Sequence, residues 1–296
     1  MKVIVTTPPY ARFLPEVATH PLVAGFRLNT VMPTRGGAGE ALDRLTAHGQ
    51  PLWVDLKGRQ LRVVGAAIPP FTAVELSHPL SVSTPCSAFF SDGQEYARIE
   101  AVDGKRIILT EGVRRLIGPG ESVNIPHPSL QIHGTLTDTD KAYLAEMQKR
   151  GMKQVMLSYV ETESDVAEVA SLLSNAEVVL KIETQRGLAL AKRVGASAGQ
   201  LMAARGDLFV EVERPHHILN ALQTIIQADP NAIVASRILD SLARSSTPSS
   251  ADISDIAWLL QLGYRTFMLG DSVCLQRDSV LEALNVLQAI WQDWQG

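Results

Sequence analysis

Eight short runs of apolar and β-branched residues recur along this 296-residue chain, and most are followed by a stretch typical of a helix. The runs lack the polar alternation of a strand with one solvated face, so they indicate strands buried on both faces. Eight strand–helix units favour a parallel sheet closed into a TIM (β/α)8 barrel. An open doubly wound sheet is the main alternative, although no G-x-G-x-x-G motif follows the first strand. The predicted strands are residues 3–7, 26–31, 52–56, 155–159, 178–182, 201–204, 233–236 and 266–269.

The interval between residues 56 and 139 breaks this pattern. It is rich in Gly, Pro and β-type residues, and residues 61–64, 73–76, 97–102 and 106–110 are predicted strands. Asp103-Gly104 is a hairpin turn signal between the last two. We therefore predict a barrel formed by residues 1–58 and 124–296, with a small β domain inserted at residues 59–123. An insertion after the third strand lies at the catalytic face, where it could act as a lid that excludes water.

Composition excludes several classes of protein. The net charge of -4 gives no basic footprint for nucleic acid. No apolar run approaches the ~18 residues of a membrane span, and the N-terminus lacks the long apolar core of a signal peptide. Two cysteines, Cys86 and Cys274, are too few for a disulfide framework. We expect a cytoplasmic enzyme that acts on a small molecule and has no nucleic-acid or membrane partner. It could form a homo-oligomer.

Two motifs place carboxylates at the ends of neighbouring predicted strands. They are Lys181-Ile182-Glu183 and Ala204-Arg205-Gly206-Asp207. Carboxylate oxygens are the ligands that Mg²⁺ and Mn²⁺ prefer, and the lysine adds a second positive charge. The two motifs together predict a metal site that binds a small anion, whose negative charge increases during the reaction. Alone, either carboxylate could instead cap a helix at the barrel mouth.

The same motifs resemble the pyruvate kinase family. That family carries a Lys-Ile-Glu strand and then a Met-x-Ala-Arg-Gly-Asp-Leu strand, here residues 181–183 and 202–208. The resemblance covers nearly the whole chain in order, which makes it more specific than any one motif. It implies a TIM barrel with a β domain inserted after the third strand. It also suggests a divergent member without the family's C-terminal regulatory domain. Further matches are Arg27-Leu28-Asn29, Asp55-Leu56-Lys57-Gly58, and residues 123–126, 235–241 and 267–269.

The resemblance implies a role for each matching residue. Glu183 and Asp207 would bind Mg²⁺ or Mn²⁺, and Lys181 would neutralise the enolate or the transferred phosphate. The substrate would be phosphoenolpyruvate or a small 2-oxo acid such as pyruvate. The other implied catalytic residues are Arg27, Ser236 and Arg205, although Arg205 could support the site through carboxylates rather than touch substrate. The implied substrate-binding residues are Gly206, Asp207, Asn29, Arg62 and Ser158.

Departures from the family pattern fall on the potassium and nucleotide side of the site. Two oxygen ligands of the monovalent cation are replaced by Val31 and Leu56, so Asp55 could be a structural acceptor only. Gln60 replaces an acidic residue, Gly120-Glu121 replaces a lysine pair, and Arg237 replaces a glutamine. The residues that would hold a pyruvate-type enolate survive.

These departures favour carbon–carbon chemistry on pyruvate or oxaloacetate, as in an aldolase, lyase or decarboxylase, with Arg237 and Arg35 as anion contacts. Phosphoryl transfer by a minimal, potassium-independent pyruvate kinase is the alternative, because Arg27, Lys181 and Arg62 suit a phosphate as well as a carboxylate. A metabolite-binding pseudoenzyme is a third possibility, against which the intact lysine and carboxylates argue.

Overall fold

Eight parallel strands close into a barrel in which each strand pairs with its neighbour in the chain and the last pairs with the first. The computed structural model describes residues 1–34, 36–91 and 93–296. The predicted TIM barrel is confirmed, and every barrel pair is parallel, as at Lys181 beside Met202. The barrel strands are β1 (Lys2–Thr6), β2 (Val23–Asn29), β3 (Leu52–Leu56), β11 (Gln154–Leu157), β12 (Glu177–Ile182), β13 (Gln200–Ala204), β14 (Ile233–Ala235) and β15 (Thr266–Leu269).

Helices pack around the barrel, and their apolar faces form one continuous core with the outward-facing strand residues. A second cluster fills the barrel interior, where Met156, Met202 and Met268 meet smaller side chains such as Ala235. The helices are α1 (Leu14–Ala18), α2 (Gly37–Thr46), α3 (Asp138–Lys149), α4 (Glu163–Leu172), α5 (Gln185–Val194), α6 (Arg205–Glu211), α7 (His217–Ala228), α8 (Ser250–Leu262), α9 (Asp271–Cys274) and α10 (Arg277–Gln295).

A separate antiparallel sheet interrupts the barrel between β3 and α3, and it has its own apolar core. Its hairpin turns at Gly104, whose φ of +58° suits glycine. The predicted strand at residues 61–64 is wrong, because Arg62 and Val63 form only isolated bridges. The proposed domain boundaries stay a prediction. The inserted strands are β4 (Ala73–Glu75), β6 (Cys86–Phe90), β7 (Glu95–Asp103), β8 (Arg106–Glu111) and β9 (Val123–Asn124), and β5 (Leu80–Ser81) pairs with β10 (Gln131–Ile132).

The incoming connection to the inserted sheet is fixed to the barrel. The buried Asp140 carboxylate accepts hydrogen bonds from the Lys57 N–H at 2.8 Å and the Gly58 N–H at 3.2 Å. Gly58 has a φ of +53°, and a Cβ there would lie 2.3 Å from the Ser158 carbonyl oxygen. Only glycine tolerates both the positive φ and the close approach to the Ser158 carbonyl. The connection therefore lies directly against the end of β11 (Gln154–Leu157), which Ser158 follows.

Two helices begin with reciprocal caps. Thr137 caps α3 with Asp140 as its partner. Thr162 is the N-cap of α4, and Asp165 lies inside the helix, where it completes the capping box. Within the described ranges no helix is long and apolar enough to cross a membrane.

Candidate active site at the barrel mouth

A cavity of about 740 Å³ opens at the carboxyl ends of the barrel strands, beneath the inserted sheet. This end of a TIM barrel is where active sites form. The structure brings together there most of the residues that the sequence predicts as a site. Those that line the cavity are Arg27, Asn29, Arg62, Lys181, Glu183, Gly206, Asp207 and Ser236.

Asp55 anchors both central cations. Its Oδ2 accepts hydrogen bonds from Arg27 Nε at 2.8 Å and Nη2 at 2.6 Å, and its Oδ1 lies 3.2 Å from Lys181 Nζ. The buried carboxylate has a lowered pKa because these two cations outweigh its own desolvation. Asp55 is therefore a positioning residue that keeps Arg27 and Lys181 charged and side by side.

Lys181 joins this anchor to the predicted metal ligands. Its ammonium donates to Ser158 Oγ at 2.7 Å and lies 3.2 Å from Glu183 Oε1. Burial, partly offset by Lys181, raises the pKa of Glu183 to about 7. The neighbouring carboxylates of Asp207 and Asp55 add to this rise, and a cation bound beside Glu183 would favour its charged form.

Asp207 is held by three donors from three parts of the chain. Its Oδ1 accepts from Tyr159 Oη at 3.0 Å and from Asn124 Nδ2 at 3.1 Å, and its Oδ2 accepts from Gln60 Nε2 at 2.8 Å. The carboxylate is buried in the first turn of α6, directly after β13. Donors of this kind fix the orientation of a ligand side chain.

The loop after β14 is held in a sparsely populated conformation. Ser236, Arg237 and Leu239 have φ values of +69°, +57° and +52°. Arg205 stabilises this backbone, because its guanidinium donates to the carbonyls of Ser236 at 2.9–3.0 Å and Arg237 at 3.1 Å. Asp255 Oδ1 in turn accepts from Arg205 Nη1 at 2.8 Å.

Two predicted residues lie elsewhere than expected. Arg205 is absent from the cavity lining and contacts backbone and Asp255, so we assign it a positioning role in place of the catalytic one. Ser158 also does not line the cavity; it lies beneath Lys181, bonded to Lys181 and Asp55, and therefore orients the lysine. Arg35, expected as an anion contact, lies outside the described residues.

Sequence reasoning missed five members of the site or undervalued them. They are Asp55, Gln60, Asn124, Tyr159 and Asp271. Asp271 lies 3.1 Å from Arg27 Nη1 and accepts from Asn29 Nδ2, at the start of the short helix after β15. A charged residue two positions after the last barrel strand is the available signal.

The residues fit a divalent metal that shares its coordination with substrate. No group of three His, Cys, Asp or Glu side chains among the described residues could hold a metal by itself. Glu183 and Asp207 offer two hard carboxylates in one cavity, with Lys181 beside them. Mg²⁺ commonly takes one or two carboxylates and leaves its other positions to water and substrate oxygens.

Comparison with known proteins agrees with this geometry. The family model for the barrel domain of pyruvate kinase matches residues 80–273. The pyruvate kinase of Methanocaldococcus jannaschii is 26% identical over 91% of this chain and 64% of its own length. That of Clostridium acetobutylicum is 30% identical over 68% and 44%, and that of Thermoplasma acidophilum 32% over 56% and 31%. The matches thus span less than two thirds of these relatives. The family match, over the part of the chain that contains Lys181, Glu183 and Asp207, shows that the chain belongs to the pyruvate kinase family.

Proposed function

We propose that the chain transfers a phosphoryl group between phosphoenolpyruvate and a nucleoside diphosphate, through the enolate of pyruvate and with Mg²⁺ or Mn²⁺. The observation that carries the proposal is the pairing of Lys181 with Glu183 and Asp207 in one cavity. The curated relatives are named pyruvate kinase. The sequence-based preference for carbon–carbon chemistry gains no support from them, so phosphoryl transfer replaces it.

In this proposal Glu183 and Asp207 hold the metal, which would act as a Lewis acid toward an enolate oxygen. Lys181 is the only ammonium group among the described residues that line the cavity. Its raised pKa, due to Asp55 and Glu183 overcoming desolvation, keeps it protonated. A fixed positive charge next to a developing enolate or migrating phosphoryl group stabilises the transition state more than the ground state.

Arg27 and Arg62 suit the phosphate. Arg27 is fixed by Asp55 and Asp271, so its position is set before substrate arrives. Arg62 comes from the connection to the inserted sheet; it donates to Gly120 O at 2.6 Å and also contacts Gln60. Both guanidinium groups line the cavity, and the inserted sheet above them would exclude water as a lid.

Two assays test the proposal in sequence. The first follows exchange of the pyruvate methyl protons with solvent in the presence of Mg²⁺ or Mn²⁺, which requires only enolate formation. The second follows formation of ATP from ADP and phosphoenolpyruvate.

Both reactions should occur in the wild-type chain, and Asp207→Asn should abolish both with little change in the melting temperature. Exchange without ATP formation would refute phosphoryl transfer and leave the enolate site intact. Absence of exchange with either metal would refute both.

A further inference from the structure

Two arginines in the cavity have no partner for their charge within the described residues. Arg27 and Lys181 are paired with carboxylates, whereas the guanidinium groups of Arg237 and Arg244 make no ion pair or hydrogen bond with any described residue. Both line the same wall, one on each side of the short 3₁₀ turn Asp240–Ala243. Exposed arginines that converge on a polar cavity are suited to an oxyanion.

Arg237 is pre-positioned rather than loose. Its guanidinium carbon lies 4.7 Å from the centroid of the Phe209 ring, a stacking contact that restricts the side chain without neutralising it. Its backbone has a φ of +57° and is clamped by the Arg205–Asp255 pair. A strained, over-determined backbone that presents one free cation is typical of a functional position.

Three carboxylates that line the cavity make contacts with residues other than these two arginines. Asp240 accepts from Ser272 Oγ at 2.7 Å, and Asp271 is paired with Arg27. Glu121, across the cavity, is bound by Arg115 at 2.6 Å. None of these carboxylates forms an ion pair with Arg237 or Arg244 among the described residues.

We infer that Arg237 and Arg244 form an anion subsite for the second substrate, separate from the metal and Lys181. Only the identification of the ligand as a substrate rests on the proposed function. Binding of an anion at the two arginines is a property of the free protein. Its ligand is an oxyanion, either the diphosphate of a nucleotide or a carboxylate of an organic acid. Guanidinium groups bind both by the same bidentate geometry.

Calorimetric titration of the full chain, metal-free in EDTA, with pyrophosphate or with succinate separates the two sources. Variants Arg237→Gln and Arg244→Gln remove one charge each with similar side-chain length. Arg98→Gln is the matched control, because Arg98 is an exposed arginine on the inserted sheet, outside the cavity lining.

One of the two anions should bind, and its Kd should weaken about tenfold in each subsite variant, as expected for a lost charge-assisted contact. Arg98→Gln should bind like the wild type. Equal affinity in all four proteins, or no binding of either anion at millimolar concentration, would overturn the subsite. Because the titration needs neither metal nor turnover, a failure of phosphoryl transfer would leave this result unaffected.

Discussion

The hydroxyl of Tyr159 offers a sharp test of how Asp207 is held. The substitution Tyr159→Phe removes one oxygen and keeps the ring, and it deletes the 3.0 Å hydrogen bond to Asp207 Oδ1. Asn124 and Gln60 still donate to the carboxylate, so the loss is partial. Asp207 should then sample orientations that no longer point into the cavity.

The magnitude follows from the type of bond. A hydrogen bond to a charged group contributes about 1.5–3 kcal/mol, and two of three donors remain on Asp207. We expect the metal-binding free energy to fall by about 1.4 kcal/mol, a tenfold weaker Kd. That value is at the lower end of the range of about 10- to 100-fold seen when groups behind a metal ligand are removed.

Mn²⁺ titration followed by electron paramagnetic resonance measures this Kd without turnover. Tyr264→Phe is the control, since its buried hydroxyl donates to Leu222 O at 2.8 Å, close to the amino end of β15 and away from the mouth. The control should lose stability and keep its metal affinity. A Kd for Tyr159→Phe equal to that of the wild type would refute the orienting role.

Three further predictions concern stability. Burial raises the pKa of Glu211 from 4.5 to about 8, so between these pH values the folded chain holds a proton that the unfolded chain releases. The unfolding free energy should therefore fall as pH rises from 4.5 to about 8. Glu211→Gln should flatten that decline in urea melts. Asp255→Ala leaves the buried Arg205 without its carboxylate and should cost about 1–3 kcal/mol by the same measurement; no loss would mean that the clamp is unimportant. Gly58→Ala forces a Cβ toward the Ser158 carbonyl at positive φ and should cost about 3 kcal/mol or more, seen as a lower melting temperature.

The barrel could be predicted because its signals are local and repeated. Runs such as residues 178–182 are apolar throughout, and the carboxylates of Glu183 and Asp207 directly follow such runs. The end of a parallel strand fixes where the next side chain lies, so position in the sequence translates into position at the mouth.

The remaining features depend on contacts between distant segments. Asn124 and Gln60 meet Asp207 only because the inserted sheet leaves and re-enters at one point, and their positions in the sequence do not predict this contact. The strand Cys86–Phe90 is not predicted, because its buried and half-buried positions alternate while both sets contain a small and an aromatic residue. The alternation of burial therefore leaves no polar–apolar pattern in the sequence. The side-chain direction of Arg205, toward the Ser236 carbonyl, is set by tertiary packing, so the sequence leaves both a catalytic and a supporting role open.

Asp207 receives one donor from each connection of the inserted sheet: Gln60 on the incoming side and Asn124 on the outgoing side. Any movement of the sheet that shifts these amides alters the energy of Asp207, the proposed metal ligand. Thermodynamic linkage makes such an effect reciprocal, so a metal ion bound by Asp207 would bias the sheet toward the orientation that favours its own binding, by the same free energy. A metal ion bound in the barrel cavity would then act on the inserted sheet through the side-chain amides of Gln60 and Asn124, without a separate hinge.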